Sequence, residues 1–263
     1  MSMISKDNFE RLSKFRWLIV TLLALLVASL FSLLSSLPFL IMALSLTVIG
    51  LIFAYRKGSW LILFILSNLP VLTTTLLSRE RALTTTDSAV FFVIFLFSLS
   101  FSYYLARKIQ IIPKVEWKYF SVPKTLTGFA LIFFVSIATG LLAQVLHQTT
   151  STANQEALNK LQTMIPVAVF ATQSLAAGFF EELVYRVGIF EIIFKKHQKF
   201  AFVAAVLIFA LMHSPTNLYS WLTYGLMSLV LTGIYAKYRN FYLNMSTHLL
   251  WNLFGLLITL LIK

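Results

Sequence analysis

The chain has 263 residues, of which 59% are hydrophobic and 11% charged, with a mean hydropathy of +0.86 and a formal charge of +12. This balance excludes an ordinary soluble domain and reads as a membrane protein, because uncharged runs of about twenty residues, at ~1.5 Å per helical residue, match a hydrocarbon layer of ~30 Å. The basic residues sit in short clusters between such runs, which fits membrane topology and excludes a nucleic-acid face, and zero cysteines exclude disulfides, cysteine nucleophiles and thiolate metal sites.

The predicted fold class is all-α, a polytopic transmembrane helical bundle of about nine spans. In chain order these are 17–36, 38–55, 59–77, 88–105, 125–146, 164–194, 199–213, 217–238 and 241–262. An eight-span bundle is the alternative, since Pro38 alone divides the first two and the seventh has only about fifteen residues. The first run reads as an uncleaved span and not a signal peptide, because further spans follow closely. The connection at roughly 106–124 is basic and carries Trp117, Tyr119 and Phe120, the composition of an interfacial segment. "HQTTSTANQEALNK" forms the longest polar connection on the other side. Spans one to five carry no acid and no histidine. Residues 1–163 are therefore a transmembrane region of unassigned role, 164–256 carry the chemistry, and 257–263 complete the last span.

Lysine and arginine in short loops stay preferentially on the cytoplasmic side. With a cytoplasmic N-terminus and nine spans, sixteen of the twenty-one basic residues fall inside. Four fall outside, namely Arg79, Arg81, Lys160 and Lys263, and Arg186 lies within a span. The expected localisation is a multi-pass protein of the cell membrane with its C-terminus outside.

Ionisable groups held at depth form one small set: Glu181, Glu182, Arg186, His213 and His248. Each charged group near the middle of a helix costs about 2.5 to 3.5 kcal/mol on insertion scales, so such groups face a bundle interior or wet cavity. Glu181 lies 14 residues before Lys195 and His213 lies 14 after Lys199, which puts both at one level, ~21 Å from the cytoplasmic helix ends. His248 and Asn252 fall within two turns of them, ~12 and ~18 Å in from Asn240. Residues four apart share a helix face, so Glu182 is expected to pair with Arg186 and Glu191 with Lys195. That frees Glu181 to hold a water, with His213 across the gap. His248 and Asn252, again four apart, are expected to present donors to a developing oxyanion. After His213, "SPTN" stops the helix with a proline, and Thr216 or Asn217 can cap the next one.

Three motifs in successive membrane helices carry a family resemblance: "EELVYR" fits Glu-Glu-x-x-x-Arg, "FALMH" fits Phe-x-x-x-His at Phe209 and His213, and "HLLWN" fits His-x-x-x-Asn. Over about residues 164–256 the chain resembles the CPBP group, which includes CAAX prenyl endopeptidases of type II and bacteriocin-processing, Abi-like relatives. The resemblance implies an intramembrane endopeptidase in which Glu181 and His213 activate water. It further implies that His248 and Asn252 stabilise the tetrahedral intermediate, and that Glu182 and Arg186 support the first helix. The group is often named for a metal, and Glu181, His213 and His248 are the residues that would hold a divalent ion such as zinc. One departure is Val187, which stands between Arg186 and Gly188 where many relatives have Arg-Gly.

The expected partners are the lipid bilayer and a hydrophobic peptide or membrane-protein substrate, prenylated or bacteriocin-like, and no nucleic acid. A non-catalytic immunity or scaffolding protein of the same family is the first alternative. A proton-coupled transporter is the second, since acids and histidines at depth also build proton relays.

Overall fold

The computed structural model describes the backbone of residues 15–34 and 39–261, and their side chains except those of 30–34. The expectation that Pro38 divides the first two spans lies outside these residues. The chain forms two compact units, one up to Ile62 and one from Leu63 onward. In the first unit, α1 (Arg16–Leu34) packs on α2 (Phe39–Ala54). They run antiparallel, because Arg16 at the start of α1 donates to Ala54 O (3.4 Å) and lies 4.8 Å from the Tyr55 ring centroid.

From Leu63 onward the elements are the rest of α3 (Gly58–Leu77), α4 (Thr85–Lys108), a 3-10 turn at Trp117–Tyr119 and α5 (Val122–Val145). Then come α6 (Ala153–Met164), α7 (Val167–Glu181), a π-helical continuation at Glu182–Ile193, α8 (Gln198–Met212), α9 (Leu218–Tyr238) and α10 (Phe241–Leu261). Among the described residues there is no strand, and the fold is an all-α membrane bundle. Among the described residues a helix runs through each predicted span. Among the described residues five helical stretches are long and apolar enough to cross a bilayer: Gly58–Leu77, Thr85–Lys108, Trp117–Val145, Val167–Ile193 and Phe241–Leu261.

The sorting of residues is the one a lipid solvent imposes. Leu126, Phe134 and Leu141 on α5, and Val93 and Phe97 on α4, are exposed, whereas Ser98, Ser102, Thr139, Ser228 and Thr232 are buried. Backbone and side-chain polar groups cannot meet water in hydrocarbon, so they turn inward and the apolar faces turn out.

Three features differ from the sequence reading. The polar connection after α5 contains α6, which Thr152 caps by accepting from Gln155 N (3.0 Å). Its Leu158, Leu161 and Met164 pack on a core of Leu83, Phe91, Ile165, Val169, Phe170 and Leu256. The span after α6 is not uniformly α-helical, since twelve residues from Glu182 wind as a π-helix, a form concentrated at functional sites. Glu191 does not reach Lys195. It accepts from Arg239 Nη1 (2.9 Å) and Tyr235 Oη (3.1 Å), because the helix has ended by Phe194 and Arg239 follows the last turn of α9 on the same side.

Helix α10 packs closely on α7, and Gly178 makes that approach possible. A Cβ built there would lie 3.0 Å from Leu249 N and 3.3 Å from Met245 O, both backbone atoms that cannot swing away. Gly178→Ala is accordingly expected to push α10 off α7 and to cost about 1–3 kcal/mol as overpacking. Thermal unfolding of the purified protein in detergent would show this as a lowered Tm, with Gly225→Ala as a control at a position where an added Cβ meets nothing within 4 Å.

Candidate active site

The site is built around the π-helical continuation of α7, on which α8 and α10 both pack, with α10 also against α7 and α9 against α8. Glu181 and Glu182 stand at the junction where α-helical winding gives way to π-helical winding. Helix α8 ends at Met212, and His213 is its C-cap. Ser214 follows with φ 49°, and the chain turns through Pro215 to Asn217, which caps α9 in a reciprocal box with Ser220. The proline stop thus leaves His213 at the end of a short helix inside the bundle.

Glu182 and Arg186 are fully buried and paired, Nη1 to Oε1, at 3.0 Å. Around them most polar atoms are hydrogen-bonded, while Arg186 Nε and Asn244 Oδ1 are buried without a partner. Arg186 Nη2 donates to Ser228 Oγ (3.1 Å), and its guanidinium lies 4.2 Å from the Phe209 ring centroid. Glu182 Oε1 accepts from His248 Nδ1 (2.7 Å), and its Oε2 accepts from Asn244 Nδ2. Burying a carboxylate at this depth requires such pairing. The same contacts fix the His248 tautomer: with its proton on Nδ1 facing a carboxylate, Nε2 points the other way.

That other way is Glu181. His248 Nε2 stands 3.9 Å from Glu181 Oε2, and so does His213 Nε2. His213 is held by the same logic, because its Nδ1 donates to Phe209 O (2.7 Å) and its ring lies between Phe209 and Tyr224, each with centroids 4.4 Å away. The Tyr224 hydroxyl is in turn held by Thr152 (3.0 Å) and Asn154 (3.1 Å) at the start of α6. Glu181 Oε2 is buried and has no hydrogen-bond partner. A separation of 3.9 Å is too long for a direct hydrogen bond and suits two groups that share one water.

Of the sequence-predicted set, the structure therefore brings together Glu181, Glu182, Arg186, Phe209, His213 and His248. Asn252 lines the same cavity, but its amide donates to Ser174 O (2.9 Å), which ties α10 to α7. Val187, the departure from the family pattern, is fully buried in the π-helix. Asn244, Ser228 and Tyr224 were missed. Asn244 lies one turn before His248 on the same face of α10 and was readable from that spacing; Ser228 and Tyr224 lie on α9 and gave no signal. Among the described residues no three His, Cys, Asp or Glu side chains form a group that could hold a metal ion. No step below passes through a metal.

Glu181, His213, His248 and Asn252 open on a chamber of about 470 Å³ that runs past α10 to the start of α6. Among the described residues no lysine or arginine lines it; its walls alternate neutral polar residues such as Thr223 and Gln173 with Phe170, Met227 and Trp251. The size and character suit an uncharged organic or peptide ligand.

Residues 163–254 match the family described as type II CAAX prenyl endopeptidase Rce1-like. The chain is 60% identical over 261 residues to the UPF0177 protein YvdC of Lactococcus lactis subsp. lactis (strain IL1403), an alignment that covers 99% of this chain and 100% of the relative. It is 30% identical over 159 residues to the UPF0177 protein YxdF of the same strain, covering 54% of this chain and 85% of that one. A third UPF0177 protein of that strain, YaiH, is 33% identical over 104 residues, 40% of this chain and 43% of its own. No solved structure matches.

Proposed function

The chain belongs to the UPF0177 family, and on that premise we propose that it is an intramembrane endopeptidase whose Glu181 and His213 activate a water toward a peptide bond. Membership of the Rce1-like group supports a protease at the level of the family and a bilayer environment. The observation that carries the finer reading is the buried, unpartnered Glu181 Oε2, set 3.9 Å from two imidazole Nε2 atoms on the wall of the chamber.

In the proposed reaction the water lies against Glu181 and His213 Nε2. Its proton passes to Glu181 as its oxygen bonds to the carbonyl carbon, and the C–N bond then breaks as that proton is delivered to the departing nitrogen. The remaining Asn252 N–H faces the oxygen that gains charge, whereas His248 Nε2, whose ring proton sits on Nδ1, accepts from the water and does not serve as the oxyanion donor expected from the sequence. Glu182 is a positioning residue: through Nδ1 it fixes which edge His248 offers. The substrate is an uncharged, hydrophobic stretch of peptide or membrane protein, because among the described residues no lysine or arginine lines the chamber to meet a carboxylate and removing an unpaired charge from water is costly. We assign the protease core to residues 164–256. We place the N-terminus on the cytoplasmic side, on the sixteen-to-four distribution of basic residues between the two faces.

The test compares the peptides released by membranes carrying the wild-type chain and by membranes carrying Glu181→Gln at equal expression, each with and without a chelator. The expected result is a set of peptides unique to the wild type and unaffected by chelation. Identical peptides from both would remove the protease reading and favour a scaffolding role, for which the buried Glu182–Arg186–His248 cluster is itself sufficient.

A further inference from the structure

Glu181 sits on a partition between two cavities. Gln173, Ala177 and Glu181 follow one another at four-residue intervals along α7, and with Val71 they line both the large chamber and a second cavity of about 80 Å³. The second cavity lies on the α3 side, where Ser67, Asn68 and Tyr185 join its wall. It is too small for a peptide.

Its polar groups have capacity to spare. Ser67 Oγ donates to Phe64 O (2.7 Å) and Asn68 Nδ2 donates to the same carbonyl (2.8 Å), which leaves the Asn68 carbonyl oxygen as an acceptor. Gln173 accepts from Thr74 through Oε1 (2.9 Å), which leaves its amide N–H groups as donors. Tyr185 adds a hydroxyl, and Glu181 adds the carboxylate whose Oε2 is buried without a partner. A buried water needs about two to four polar partners and takes up ~30 Å³, so the cavity has room and partners for about two or three.

We propose that this smaller cavity is a water site, and that it feeds Glu181 from the side opposite the peptide. The use of that water in hydrolysis rests on the protease reading; its presence does not. An apolar segment filling the large chamber would shut bulk water out on its own side of the partition, while each cleavage consumes one water. With the second cavity behind Glu181, the attacking water is replaced while the peptide stays seated.

The chain has no cysteine, so Ser67→Cys and Asn68→Cys each install a single thiol. A thiol reacts as the thiolate, which forms where water reaches it. In membranes containing the full chain, silver ion is expected to block both thiols against later maleimide labelling under denaturing conditions. Val93→Cys, on a lipid-facing position of α4 that is 68% exposed, is expected to remain unblocked by silver. Thiols at 67 and 68 as inert as the one at 93 would overturn the water site. With a cleaved peptide in hand, Ser67→Leu fills the cavity and is expected to lower kcat by about tenfold with KM unchanged. A raised KM with kcat intact would put Ser67 in the peptide's path and overturn the assignment. Reactive thiols in a chain that cleaves nothing would uphold the water site and remove the protease reading instead.

Discussion

Glu181→Gln is expected to reduce kcat for peptide cleavage by about a hundred- to ten-thousandfold, the range associated with loss of a positioned proton acceptor. His213→Ala should fall in the same range, since its Nε2 is one of two ring nitrogens 3.9 Å from Glu181 Oε2. The decisive comparison is the double variant. Two groups that hold one water act as a unit, so removing both is expected to cost no more than removing either. Cleavage kinetics of the purified chain in nanodiscs would show this as a double variant equal to the weaker single. Losses that multiply would mean that Glu181 and His213 act on separate events. Both side chains face the cavity, so the folded fraction should be little changed, and retained Tm separates chemistry from unfolding.

The opposite pattern is expected one residue along. Arg186→Leu removes the guanidinium that lies 3.0 Å from Glu182 in a fully buried setting, and stranding a buried carboxylate costs about 3–5 kcal/mol. Replacing both residues in Glu182→Leu with Arg186→Leu is expected to regain much of that loss, because no uncompensated charge remains. Activity should not return with it. Without Glu182, His248 Nδ1 loses its acceptor and the ring no longer presents Nε2 to Glu181. Thermal unfolding followed by a cleavage assay on the same samples separates the two effects. A double variant as unstable as Arg186→Leu alone would mean that Asn244 and His248, and not the ion pair, hold this part of the bundle.

Much of this arrangement was legible in the sequence, for identifiable reasons. Charged groups are so costly in hydrocarbon that Glu181, Glu182, Arg186, His213 and His248 stood out against their spans, and the constant helical rise put Glu181 and His213 at one level. The resemblance to CPBP proteins added the endopeptidase reaction, which spacing could not supply. What escaped the reading depends on contacts between helices. Four-residue spacing assigned Glu182 to Arg186, but it had no means of showing that His248 and Asn244 on α10 share the same carboxylate. Glu191 was matched to Lys195 by the same rule, and the helix ended too soon for that pair to form. Helix α6 was read as a loop because its packing face is only a few residues within a polar stretch. The π-helical winding after Glu181 has no compositional mark, although it begins at the motif itself.

Cleavage in water enriched in oxygen-18, followed by mass spectrometry of the released peptides, bears most directly on Glu181 turning a water upon a peptide bond. One heavy oxygen is predicted in each new carboxy terminus made by the wild-type chain, with or without chelator, and none of these peptides is predicted from Glu181→Gln. The same labelled peptides appearing from Glu181→Gln, or wild-type peptides whose new termini carry no heavy oxygen, would contradict it.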